Sequence, residues 1–154
     1  NSVGVNTEHT WPQSKLQPGK IKTSKKTKFP PFFTARADLY NLFPADARAN
    51  NDRANYPFYD CGNGDDIQGH LCRDTSSYEP PNWHKGEVAR ALFYMSVSYN
   101  LPLDKAQEDT MRVWNTAFPV SPTEREREIK VSQHQGNHNA FIEHPEWVTL
   151  ISDF

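Results

Sequence analysis

The stretch from Gly86 to Tyr99 constrains the fold most. Val88, Leu92, Met95 and Tyr99 stand at i, i+4, i+7 and i+11, which lays one apolar stripe along a helix. Asn100-Leu101-Pro102 ends it, because the residue before a proline is driven out of the helical region. A second helix is predicted from about Asp104 to Ala117, with Met111, Trp114 and Phe118 on one side. A third opens on a capping box, with Ser121 as N-cap, Pro122 at the first helical position and Glu124 three residues on, and ends near Gly136. Pro145 opens a last short helix carrying Trp147, Val148 and Ile151. A chain of 154 residues patterned this way fits one mostly helical domain.

Strand is harder to find. Val3 and Val5 alternate with small residues as a short strand would, but no partner is legible downstream. Residues 44–50 favour helix, with Pro44 acceptable in a first turn. Residues 56–83 read as irregular, and 12–31 as a long loop of Pro, Lys, Ser and Thr. Long loops in compact domains tend to be functional or disordered. Twelve prolines against seven glycines agree with a loop-rich chain. No run approaches the ~20 apolar residues of a membrane span.

The formal charge of −2 hides an asymmetry. Residues 1–37 carry seven Lys and Arg against one Glu, and the remainder carries ten against eighteen Asp and Glu. A concentrated basic segment suits a polyanion, although a solvated lysine loop has the same composition.

Four groups of residues could carry chemistry. Glu8-His9 offers a hard oxygen ligand and a base, if a bent strand end brings both to one side. Asn41, between Leu39 and the apolar pair Leu42-Phe43, is a polar group near the core, and bonding to turn backbone is its commoner use. Gln135-Gly136-Asn137-His138-Asn139 reads as a turn-organising cluster; His134 and His138 have zinc-compatible i, i+4 spacing, but Gly136 interrupts it. Cys61 and Cys72, with His70 between, read as a disulfide if the protein is exported; a zinc site would need a fourth ligand.

Taken together these pieces resemble a known family. Asn-Thr-Glu-His-Thr-Trp-Pro-Gln-Ser at 6–14 is similar to the Glu-His-x-Trp-Pro signature of the bacterial endonuclease I family. Ala-Asp-Leu-Tyr-Asn-Leu-Phe-Pro-Ala at 37–45, followed by Asn50, Arg53, Asn55 and Phe58, resembles its second block. Gly86, Ala89-Arg90 and Tyr94-Met95 resemble its helical block. Trp114, Phe118-Pro119-Val120, Glu124 and residues 135–141 resemble its C-terminal block. The blocks occur in family order over nearly the whole chain.

The resemblance implies an α+β fold, a ββα-metal (His-Me) finger embedded in a mostly helical domain. It implies a non-specific endonuclease, periplasmic or extracellular, cutting DNA and in some members RNA to leave 5′-phosphates. His9 takes the place of the general base. Glu8 and Asn41 take the places of ligands to one Mg²⁺, with Mn²⁺ or Ca²⁺ as other candidate ions. Lys25, Lys26 and Lys28 then read as phosphate-tracking residues, which bring salt-dependent affinity without sequence preference. The basic residues of loop 15–28 are all lysines, so the arginine that relatives use on the cleaved phosphate is sought among Arg36, Arg53 and Arg90, of which Arg53 and Arg90 have a structural reading as well. Position 40 is Tyr where many relatives have His. Relatives carry a sizeable segment before the Glu-His block, so the expectation is one nuclease domain over 1–154 lacking that segment. No membrane and no obligate protein partner is expected. Two other readings compete: an inert nucleic-acid-binding module of the same fold, and an unrelated extracellular domain that sets Trp83 and Trp147 on a glycan. Core packing is the commoner use of such tryptophans.

Overall fold

A computed structural model describes residues 4–16, 31–62, 69–72 and 76–154. The strand at the start has a partner after all. β1 (Val5–His9) pairs antiparallel with β2 (Leu42–Asp46), setting Glu8 opposite Phe43 and His9 opposite Leu42. Pro44 therefore lies in a strand and not in the first turn of a helix. A two-stranded ladder leaves each strand an open edge, where a proline without N–H is tolerated. Helix starts three residues later, because the Asp46 carboxylate accepts from the backbone N–H groups of Arg48 and Ala49 and caps α2 (Ala47–Arg53). Between the strands, α1 (Pro31–Ala37) and a 3₁₀ turn at Leu39–Asn41 lead into β2.

The remaining helices form the bulk. α3 (Asn82–Tyr99) begins earlier than the sequence predicts, with Pro81 at its N-cap. Its expected stripe is buried, but so are Ala89, Arg90, Ala91, Phe93 and Tyr94, so α3 is the central helix and not an amphipathic cover. α4 (Lys105–Ala117) lies against it and contributes Met111 and Trp114 to the core. α5 (Pro122–Gln135) has the predicted cap, the Glu124 N–H donating to Ser121 Oγ at 3.1 Å. It ends at Gly136, whose φ of 82° suits glycine. α6 (Ala140–Glu143) and a 3₁₀ turn at Pro145–Leu150 complete the chain, the latter where a short helix is predicted. Within the stretch read as irregular, β3 (His70–Leu71) pairs with β4 (Tyr78–Glu79) beside the disulfide Cys61–Cys72, whose Cα atoms are 5.8 Å apart. The fold is α+β. No helix among the described residues is long and apolar enough to cross a membrane.

One buried carboxylate joins these parts. Asp38 accepts from the Tyr40 N–H, from the Tyr94 and Tyr99 hydroxyls at 2.7 and 2.5 Å, and from Gln135 Nε2 at 3.0 Å. Gln135 Oε1 in turn accepts from the Leu39 N–H. The amide-rich cluster after α5 thus fixes the entry to β2.

Gly86 marks the closest approach in the bundle. A Cβ there would sit 2.3 Å from the Phe118 carbonyl oxygen and 2.5 Å from an Arg90 guanidinium nitrogen. Gly86→Ala gains about 1 kcal/mol of helix propensity but overpacks a site backed by backbone, which costs about 1–3 kcal/mol or more. The collision with a carbonyl decides the sign: thermal unfolding will show Gly86→Ala less stable than the parent chain.

Candidate active site

Local structure brings Glu8, His9, Asn50 and Arg53 to one cleft of about 480 Å³, also lined by Pro12, Gln13, Ser14 and Asn55. Glu8 and His9 come from the last turn of pleat in β1, where the chain bends through residues 10–12. Asn50 and Arg53 come from α2, three residues apart and therefore on one helix face.

Arg53 holds the strand end. Its guanidinium, 2% exposed, donates from Nη1 to Glu8 Oε1 at 2.5 Å and to the His9 carbonyl at 2.8 Å, and from Nη2 to the Thr10 carbonyl at 2.7 Å. It also lies over the Phe58 ring, 4.2 Å from the centroid. Burial pushes the Glu8 carboxyl above its ordinary value, and Arg53 opposes that shift by charge and hydrogen bond. Glu8 Oε2 accepts no hydrogen bond from the described residues.

His9 is fixed at both nitrogens. Nε2 lies 3.0 Å from the Arg36 carbonyl, which can only accept, so Nε2 carries the proton. Nδ1 is then the basic nitrogen, and Gln13 Nε2 donates to it at 3.0 Å. Burial holds the imidazole below its ordinary value; the Arg36 carbonyl opposes this and the charges of Arg36 and Arg53 add to it. Arg36 is exposed and lines, with His9, a second depression of about 870 Å³.

Asn50 is half-buried. Its Nδ2 donates to Asn6 Oδ1 at 2.7 Å and to the Thr7 carbonyl at 3.1 Å, while its Oδ1 has no protein partner among the described residues. Glu8 and Asn50, each with an oxygen that accepts no hydrogen bond among the described residues, thus line the same cleft. That donor set suits a hard divalent cation, which takes oxygen ligands.

Two expected site residues stand elsewhere. Asn41 is fully buried and does not line this cleft; its Oδ1 accepts the Trp11 N–H at 2.6 Å and its Nδ2 donates to the Trp11 carbonyl at 3.1 Å. Its amide is spent on backbone and has no oxygen open to an ion. Arg90 is a brace inside the bundle, with Nε and Nη2 on the Glu124 carboxylate at 2.7 and 2.6 Å and Nη1 on the Phe118 carbonyl at 3.1 Å. At 1% exposure it reaches no substrate. Lys25, Lys26 and Lys28 lie outside the described residues. Asn50 was within reach of sequence reasoning: once α2 starts after Asp46, it shares a face with Arg53. His138 Nδ1 lies between Glu128 and Glu143, at 3.1 and 3.0 Å, so it pairs with carboxylates and not with His134.

With this geometry in place, the class of protein follows from comparison. The sequence model described as Endonuclease I matches residues 1–146, and the chain belongs to that family. Over 118 residues it is 36% identical to a periplasmic deoxyribonuclease of Aeromonas hydrophila, covering 73% of this chain and 49% of that protein. It is 35% identical over 164 residues to an extracellular ribonuclease of Bacillus subtilis (strain 168), covering 95% of this chain and 53% of that protein. A third relative, Endonuclease-1 of Buchnera aphidicola subsp. Acyrthosiphon pisum (strain APS), is 34% identical over 111 residues, 69% of this chain and 44% of its own length. The chain spans about half the length of these relatives.

Removing one partner of a buried ion pair typically costs about 3–5 kcal/mol. Arg53→Met will therefore lower the melting temperature sharply, since it strands the Glu8 carboxylate. Adding Glu8→Gln will recover part of the loss. A double variant no more stable than Arg53→Met alone would show that the backbone bonds of Arg53, and not the pair, dominate.

Proposed function

We propose that this chain carries the active site of a metal-dependent, non-specific endonuclease, exported to the periplasm or beyond, that hydrolyses phosphodiester bonds in DNA and RNA. The observation that supports this most is the meeting of Glu8, His9, Asn50 and Arg53 in one cleft. The relatives named as deoxyribonucleases and a ribonuclease point to nucleic-acid substrates of both kinds. The β1–β2–α2 succession has the order of a ββα-metal finger, with base and ligands on the strand end and helix.

Glu8 and Asn50 would hold the ion, Mg²⁺ foremost. When bound, such an ion supplies positive charge against the charge that develops on the phosphate and the leaving 3′ oxygen. His9 supplies the base. Its Nε2–H is pinned on the Arg36 carbonyl, so Nδ1 carries the basic lone pair; that lone pair accepts from Gln13 in this structure and takes a proton from the attacking water once the water displaces the Gln13 amide. Arg53 favours the ionised form of Glu8 against the effect of its burial and shapes the bend that sets Glu8 and His9 on one side. Arg36, exposed beside His9, is the cation placed to meet a substrate phosphate.

Plasmid nicking tests the reading. The parent chain with Mg²⁺ should cut, leaving 5′-phosphate ends, and EDTA should stop it. His9→Ala should lower the rate about 10²–10⁴-fold while DNA binding persists. Binding with no cutting by the parent chain would instead mark an inert nucleic-acid-binding module. Asn50→Ala should shift the Mg²⁺ dependence of nicking to higher concentration, whereas Asn41→Ala should act on stability. An unchanged Mg²⁺ requirement in Asn50→Ala would remove it from the ligand set.

Arg36→Ala offers a separate measurement. Loss of one phosphate contact should weaken DNA binding across sequences and reduce the salt slope of log K by about one. A slope equal to that of the parent chain would exclude Arg36 from phosphate contact.

A further inference from the structure

Glu8, Asn50 and Arg53 line a second cavity, on the side of α2 toward α3. Its volume is about 220 Å³, and its other walls are largely apolar and aromatic: Phe43, Pro80, Pro81, Trp83 and His84 among them. Trp83, at the start of α3, is 69% exposed, although tryptophan is a residue that folding usually covers. Its indole lies 5.2 Å from the His84 ring, and His84 meets Phe43 edge-on at 4.9 Å. His84 is itself held by Glu87, Nδ1 to Oε2 at 2.6 Å. The result is a fixed aromatic wall with an open indole at its rim.

Polar atoms accompany this wall. Glu8 and Asn50, each with an oxygen that accepts no hydrogen bond among the described residues, are part of the cavity's lining. Apolar aromatic surface with a few polar side chains in its lining suits a planar heterocycle that carries hydrogen-bonding edges. The cavity is small beside the roughly 300–1,000 Å³ of most ligand pockets, so it takes one ring system and not a base pair.

We infer that this cavity is a nucleobase subsite, in which one unstacked purine or pyrimidine of a single-stranded stretch, flanking the scissile phosphate, lies against Trp83. The inference rests on the nuclease reading and deepens it, because a base can stack on Trp83 only where the strand is single or locally opened. Continuity with the candidate phosphodiester site favours a nucleobase over a glycan, since the cavity and the ion-binding cleft share Glu8, Asn50 and Arg53. Stacking on an aromatic side chain accepts every base, which agrees with cutting that has no sequence preference.

The test combines kinetics with binding. On a single-stranded oligonucleotide, Trp83→Ala should raise KM about tenfold with kcat little changed, and Trp83→Phe should restore most of the loss. On duplex plasmid the same variant should lose much less. An oligonucleotide with one abasic position should be cut poorly at the adjoining phosphate by the parent chain, and Trp83→Ala should cut it no worse than the intact strand. Equal KM values for parent and Trp83→Ala on single strands would overturn the subsite while plasmid nicking still upheld the nuclease. Fluorescence decides even if no cutting occurs. Single-stranded oligonucleotide, added without metal, should quench emission in the parent chain and in Trp147→Ala but not in Trp83→Ala. Quenching that survives in Trp83→Ala, or quenching through Trp83 by a neutral oligosaccharide in place of the oligonucleotide, would overturn the assignment.

Discussion

The candidate site depends on the buried guanidinium of Arg53. Three of its hydrogen bonds end on consecutive residues, the Glu8 side chain and the His9 and Thr10 carbonyls. A strand cannot place neighbouring side chains on one side, since successive residues alternate. Satisfying those carbonyls from one planar donor lets the strand end bend, and the bend makes Glu8 and His9 usable together. The fork geometry of arginine is what permits this, and a lysine could not serve three acceptors in a plane.

The bend needs a rigid floor, and the floor is assembled from distant parts of the chain. Asn41 ties its amide to both backbone groups of Trp11 and its carbonyl to the Thr10 N–H, which extends the β1–β2 pairing beyond its last residue pair. The turn carrying Asn41 is fixed in its turn by Asp38, whose carboxylate gathers donors from α3 and the end of α5. A buried carboxylate with one or two donors would be costly; with four it is satisfied. The amide cluster at residues 135–139 therefore acts on the site from a distance. Asn137 donates to the Tyr94 hydroxyl and accepts from Gln135, and Asn139 caps α6 while donating to the Arg90 carbonyl.

What the sequence reveals follows the range of the forces involved. The helices were legible because caps and apolar periodicity are local: Ser121, Gly136 and the stripe from Val88 to Tyr99 lie where expected. β2 was not, since Leu-Phe-Pro-Ala-Asp carries a proline and alternates poorly, and only pairing with β1 makes it a strand. Glu8 and His9 were legible as a pair through adjacency and resemblance. Asn41 and Asn50 are alike as members of one family block, and the only sequence signal for Asn50 is the helix face it shares with Arg53 once α2 starts after Asp46. The difference lies in the backbone of Trp11, thirty residues from Asn41, which consumes one amide and leaves the other open. Arg90 misled for the same reason, since a buried brace and a phosphate contact are the same residue type until Glu124 is placed beside it.

On the proposed nuclease reading, the aromatic wall beside the cleft bears on how one site would treat DNA and RNA alike. Contacts to phosphate and to a hard ion ignore base and sugar, so they cannot favour either polymer. A 2′-hydroxyl could discriminate only if a polar group were fixed to meet it. The cavity beside the cleft is walled largely by Phe43, Pro80, Pro81, Trp83 and His84, so the face of a base and not a ribose hydroxyl is the fitting partner. Selection in such a site falls on strand accessibility, because the energetic requirement is to expose a base face and not to present a particular sugar. The curvature imposed by Arg53 at the end of β1 thus shapes both the cleft of Glu8 and His9 and the cavity beside it, and the two share Glu8, Asn50 and Arg53.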